Sequence, residues 1–163
     1  MPTDKGELLD AMIKAYAMEK GTRKFYERAA EAAYEEAARL GFAELARREG
    51  EHMDYIRHLY QAITAGRELM SIGEFRKAGP GAPEGFPPPP ETGEWIEEYS
   101  FVNELGAIME ALKMEAGSYA FYDDILKKTK EPATRALIEG LKDLEEGHIK
   151  YLKDLRMKLD ETP

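Results

Sequence analysis

Two stretches of this chain repeat each other, and no other feature constrains the fold as strongly. Met18-Glu19-Lys20-Gly21-Thr22-Arg23-Lys24-Phe25-Tyr26 matches Met114-Glu115-Ala116-Gly117-Ser118-Tyr119-Ala120-Phe121-Tyr122 at an offset of 96 residues. Carried on without a gap, the offset sets Glu49 on Glu145, His52 on His148, Tyr55 on Tyr151 and Ile56 on Leu152. The 30-residue step from Glu19 to Glu49 recurs from Glu115 to Glu145. An unrelated pair of helices would rarely keep both motif and spacing. The chain reads as a duplicated helical hairpin.

Apolar residues recur at the three-to-four-residue period of amphipathic helices through about residues 4–32, 36–65, 101–129 and 132–159. These stretches are rich in Ala, Leu, Glu, Lys and Met, and no strand-like alternation competes. Pro132 suits a first helical turn, where its missing N–H is not needed. No Gly or Pro marks the end of the first helix. The repeat sets Pro132 opposite Glu36, which places that break just before Glu36. The predicted architecture is an all-α four-helix bundle, one domain over 1–163, with hairpins 4–65 and 101–159 joined by a crossover over 66–100.

That crossover changes composition abruptly. Ala78-Gly79-Pro80-Gly81-Ala82-Pro83 and Phe86-Pro87-Pro88-Pro89-Pro90 suit neither a helix nor a central strand, and the proline run favours an extended polyproline II spacer. A short helix is expected before it, with Ser71 as cap and Ile72 and Phe75 as apolar contacts. The stretch is either a flexible linker between independent halves or a long crossover against one bundle, with Trp95 and Tyr99 anchoring its exit. Helices of this length run about 42 Å. If the hairpins are related by a two-fold axis across the bundle, the chain must travel that distance, and 66–100 is long enough to do so. Exchange of whole hairpins between two chains would build the same bundle.

Each hairpin glutamate interrupts an apolar stripe. Seven and four residues before Glu19 stand Met12 and Ala15, and seven after it stands Tyr26. The same positions around Glu49 are Phe42, Leu45 and Ile56; around Glu115, Ile108, Ala111 and Tyr122; around Glu145, Ile138, Leu141 and Leu152. Residues at those spacings share one helix face. His52 and His148 follow Glu49 and Glu145 by three residues, on that same face.

Four ionised carboxylates facing one core would each cost several kcal/mol in desolvation and would repel one another. The stripes carry no matching Lys or Arg. Two divalent cations would cancel four charges and take both imidazoles as neutral ligands. Oxygen and nitrogen donors without sulfur suit iron, manganese or zinc. A Glu on each of two helices, with Glu-x-x-His on each of the other two, is the ligand pattern of dinuclear carboxylate bundles. One Glu-x-x-His alone would be an ordinary solvated pair; two in register with two more stripe glutamates are not. His58, whose counterpart is Asp154, reads as a surface or packing residue. Tyr26 and Tyr122 are either plain core aromatics or hydroxyls that hold a carboxylate ligand. The eight Met residues read as core filler.

Composition closes other routes. There is no cysteine, which excludes disulfides, thiolate metal sites and a thiol nucleophile. Acidic residues outnumber basic ones 32 to 23, for a formal charge of −9, which argues against general binding to nucleic acid or anionic membranes. No apolar run approaches the roughly 20 residues that span a bilayer. The first residues do not read as a signal peptide, so a cytoplasmic location is expected.

Through MEKGTRKFY with EGEH and MEAGSYAFY with EEGH, the chain resembles the rubrerythrin-type members of the ferritin-like superfamily across both hairpins. The resemblance implies a ferritin-like bundle in which Glu19 and Glu115 are terminal ligands, Glu49 and Glu145 bridge, and His52 and His148 each bind one of two iron ions. It implies reaction with O2 or H2O2, either as a peroxidase or as an oxidase or store of Fe2+. An external electron donor would support turnover, and a homodimer or larger homo-oligomer is the expected assembly. Metal storage, or a zinc-filled structural site, is the alternative to redox turnover. Two departures stand out. With no cysteine, the chain lacks the rubredoxin centre that feeds electrons to rubrerythrins. Where those proteins carry an extra carboxylate three residues after the third-helix ligand, this chain has Ser118, with Thr22 at the repeat position.

Overall fold

The computed structural model describes residues 5–79 and 103–161. The proline run, Trp95 and Tyr99 lie outside the described residues, and so does the question of how the crossover leaves the bundle. Five helices follow one another: α1 Lys5–Ala32, α2 Glu36–Ala65, α3 Ile72–Ala78, α4 Glu104–Lys128 and α5 Pro132–Asp160. No strand occurs among the described residues.

Local chemistry sets the helix ends. Glu35 is extended (φ −74°, ψ 131°) ahead of α2, and the N–H groups of Tyr34 and Glu35 both donate to Glu104 Oε1, at 2.6 and 3.0 Å. That contact explains a break which no Gly or Pro announces. Gly66 closes α2 in the left-handed region (φ 67°), where a Cβ would be strained. Ser71 caps α3 in a reciprocal capping box with Glu74. α4 starts at Glu104, three residues later than the apolar period suggests, because the Asn103 side chain accepts from Gly106 N–H and caps the first turn there. Pro132 occupies the first turn of α5, capped by Glu131.

α1 packs along α2 and α4 along α5; α1 then meets α4, and α2 meets α5. The Glu104 contact brings the start of α4 to the end of the bundle where α1 finishes and α2 begins. The end of α2 and the start of α4 therefore lie at opposite ends, as a bundle of two-fold related hairpins requires. α3 folds back on α2. Phe75 is buried against the rings of Tyr55 and His58, at 5.5 and 5.2 Å between centroids. Tyr55 donates to the Met70 carbonyl at 2.8 Å, and Arg76 ion-pairs with Glu51.

All twelve stripe residues flanking the four glutamates are buried. They sort into two apolar clusters, one around Tyr26, Phe42, Leu45, Ile108 and Leu152, the other around Met12, Ile56, Tyr122, Ile138 and Leu141. Burying a side chain such as Phe42 or Ile56 contributes about 1.5–3 kcal/mol, and the two clusters together hold the four helices in register. The glutamates and histidines sit in the layer between them. Among the described residues no helix is long and apolar enough to cross a membrane.

Candidate metal centre

Each long helix delivers one carboxylate to this layer. Glu19, Glu49 and Glu115 are wholly buried and Glu145 is 1% exposed; His52 and His148 are each 2% exposed. The two imidazoles stack 4.7 Å apart and 2° from parallel, on neighbouring turns of α2 and α5. Nδ1 of His52 lies 3.8 Å from oxygens of Glu19, Glu49 and Glu145. Nδ1 of His148 lies 3.0 Å from Glu49 and 3.2 Å from Glu115.

Seven buried atoms here have no hydrogen-bond partner: Glu19 Oε2, Glu115 Oε2, both oxygens of Glu49, both of Glu145, and His52 Nδ1. A buried polar atom left unmatched costs about 1–3 kcal/mol, and native interiors carry few of them. Seven in one place need a common partner. Among the described residues, no Lys or Arg pairs with these glutamates, and the basic side chains beside them are the two histidines. The donors converge in groups that a cation would join: Glu49, Glu115, Glu145 and His148; Glu19, His52 and Glu145; Glu49, His52 and His148, the atoms of each within 4.8 Å of one another. Glu49 and Glu145 recur in groups on both sides, and Glu19 and Glu115 each in one. Oxygen and imidazole donors in this number fit a pair of first-row divalent ions.

The electrostatics separate the carboxyls into two kinds. Burial, then the charge of Glu19, pushes Glu49 and Glu145 well above the usual carboxylate range. Burial also acts on Glu19 and Glu115, but their neighbours outweigh it and hold both below that range: Glu49 and His52 for Glu19, Glu145 and His148 for Glu115. The tyrosines belong to the same arrangement. Tyr26 donates to Glu115 Oε1 at 2.6 Å and Tyr122 to Glu19 Oε1 at 2.8 Å, each reaching across to the other hairpin. Burial and the facing carboxylates raise both phenols well above their ordinary value, so they stay protonated donors.

A family model described as Rubrerythrin matches residues 10–156. The chain belongs to the rubrerythrin family. No curated protein and no solved structure matches it.

Two features set this rubrerythrin-family chain apart. It has no cysteine to hold a second redox centre. The hydroxyl of Ser118, at the position where a further carboxylate would stand, and that of its repeat counterpart Thr22 turn back on their own helices: Thr22 Oγ1 donates to the Met18 carbonyl at 3.1 Å, and Ser118 Oγ to the Met114 carbonyl at 3.2 Å. His58 lies away from the centre, packed between Tyr55 and Phe75. The sequence reading left open which carboxylate each tyrosine would hold. No spacing along one helix carries that information, since both partners stand on the opposite hairpin.

Proposed function

We propose that this protein is a cytoplasmic non-haem di-iron oxidoreductase that oxidises ferrous iron with O2 or H2O2, drawing electrons for repeated turnover from a separate donor. The supporting observation is the set of seven buried atoms without a hydrogen-bond partner, on Glu19, Glu49, His52, Glu115 and Glu145, placed with His148 between two apolar clusters. On this reading Glu19 and Glu115 each hold one metal, Glu49 and Glu145 are shared, and His52 and His148 each complete one side. Two bound ferrous ions supply together the two electrons that, with two protons, reduce one H2O2 to two waters.

The chain's own residues prepare the site for that chemistry. Glu19 and Glu115, charged and held by Tyr122 and Tyr26, are fixed acceptors. Burial raises the proton affinity of Glu49 and Glu145, and a cation would take the place of any proton they hold, so loading neutralises the layer without stranding charge in the core. The flanking apolar clusters keep bulk water out, which strengthens every charge interaction inside.

Stopped-flow mixing of the ferrous protein with peroxide or O2 tests the reading. The native chain should oxidise iron much faster than a variant carrying Glu49→Ala and Glu145→Ala; equal rates would overturn the proposal. One observation favours a second reading, in which metal is held or stored without rapid turnover: where rubrerythrins proper place a carboxylate, this chain has Ser118, whose hydroxyl is engaged with its own helix. Elemental analysis of protein purified without added metal, and light scattering after iron loading, separate the two. Zinc as the resident ion, or a large particle holding far more than two irons per chain, would establish the second.

A further inference from the structure

The repeat supplies both halves of the centre with the same residue types, yet their geometry differs. Around His148, Nδ1 already lies 3.0 Å from Glu49 Oε1 and 3.2 Å from Glu115 Oε1. Four residues, Glu49, Glu115, Glu145 and His148, converge there. Around His52 the three nearest carboxylates all stand at 3.8 Å. Glu19, His52 and Glu145 form that half's group, and Glu49 joins His52 only in company with His148.

Oxygen and nitrogen ligands roughly 2.0–2.2 Å from a shared ion stand about 3–3.5 Å from one another. His148 has that spacing from two carboxylates, whereas His52 stands wider than that from all three of its own. Glu115 Oε1 also receives the shorter phenol bond, 2.6 Å from Tyr26, against 2.8 Å from Tyr122 to Glu19 Oε1. A preorganised donor set binds more tightly because less ordering accompanies binding.

We propose that the two halves are unequal: the one built on His148 with Glu115 retains a resident divalent ion, and the one built on His52 with Glu19 is where a divalent ion enters and leaves. The proposal rests on the six residues being a metal centre, and it assigns the exchangeable position, and so the ferrous substrate, to the His52 half.

Co2+ alone, titrated into the metal-free full-length chain and followed by its visible absorption and by calorimetry, provides the test. Two steps are expected, the first at least about tenfold tighter. His148→Ala should abolish the tight step, and His52→Ala should leave it within about threefold. Circular dichroism checks each variant's helix content. The unmodified protein gives an independent measure, since a chelator should remove one Co2+ per chain well ahead of the other. Two ions that bind equally and leave together overturn the inequality, and so does loss of the tight step in His52→Ala. Absence of any bound Co2+ is a different failure, because it would overturn the metal centre itself.

Discussion

Tyr26 and Glu115, 89 residues apart, meet through a 2.6 Å hydrogen bond buried at the middle of the bundle. The repeat returns the contact as Tyr122 to Glu19 at 2.8 Å. Each hairpin thus holds a carboxylate of the other, and neither half of the layer is complete alone. Tyr26→Phe and Tyr122→Phe each remove a donor from a fully buried carboxylate, a loss of about 1–3 kcal/mol. Outer contacts of this kind also change metal affinity by about 10–100-fold. Thermal unfolding and metal competition should show both variants weakened, with helix content kept. A Tyr26→Phe protein with native metal affinity would show that the bond does not position Glu115.

The carboxyl pKa directions predict how pH acts on the metal-free protein. Glu49 and Glu145 are raised above their ordinary 4.5, so the folded state binds more protons than the unfolded one. Their contribution is present at low pH and is lost as pH rises from about 4.5 through the raised values. Glu19 and Glu115, being lowered, give up stability only as pH falls below that range. Melting temperature without metal should therefore decline as pH rises above about 4.5. Cations that replace the protons should remove the decline. Calorimetry across that range, with and without bound metal, measures both; a metal-free melting temperature that does not fall would contradict the assignment of the two protonated carboxyls.

Glycines on the outer faces allow a stability test away from the centre. A Cβ at Gly140 meets nothing within 4 Å, whereas one at Gly50 would come within 3.0 Å of the Arg23 guanidinium. Helix propensity favours Ala over Gly by about 1 kcal/mol. Gly140→Ala should raise the melting temperature by about 2–4 °C, and Gly50→Ala should gain less because Arg23 must shift. Equal gains at the two positions would show that Arg23 moves freely.

α3 is held to α2 chiefly by one aromatic side chain. Phe75 packs on Tyr55 and His58, with Arg76 on Glu51 beside it. Phe75→Ala should cost about 3–5 kcal/mol if α3 stays docked over a cavity, and less if the short helix detaches. Amide exchange in residues 72–78 distinguishes the two, and the metal layer should bind ions as before in either case. Loss of metal binding in this variant would show that α3 supports the centre.

The net charge illustrates how a correct count can mislead about a surface. The chain's 32 acidic residues include the four glutamates of the layer, which are buried. Five more, Glu84, Glu91, Glu94, Glu97 and Glu98, fall in the sequence stretch 78–112, which has no Lys or Arg. Without those nine, the 23 basic residues face an equal number of acidic ones. The excess read from composition therefore lies in the buried layer and in the stretch 84–98, and the rest of the chain is balanced.

Much of the fold was legible because helical periodicity is a local property. The stripes marked which face of each helix would be buried, and the offset of 96 located the break before Glu36 without any Gly or Pro to mark it. The start of α4 was missed by three residues, since an Asn side chain closing a turn on Gly106 leaves no trace in the apolar period.

What the amino-acid order determined unaided was that six metal-type side chains occupy inward faces of four helices, since spacing along one helix sets the azimuth of each residue on it. The tertiary structure decided everything that passes between helices: which tyrosine holds which glutamate, which carboxylates stand between the two imidazoles, and why one imidazole has closer company than the other. Those relations depend on how far each helix slides and turns against its neighbours. That is settled by the packing of both apolar clusters at once, and no single stretch of sequence contains it.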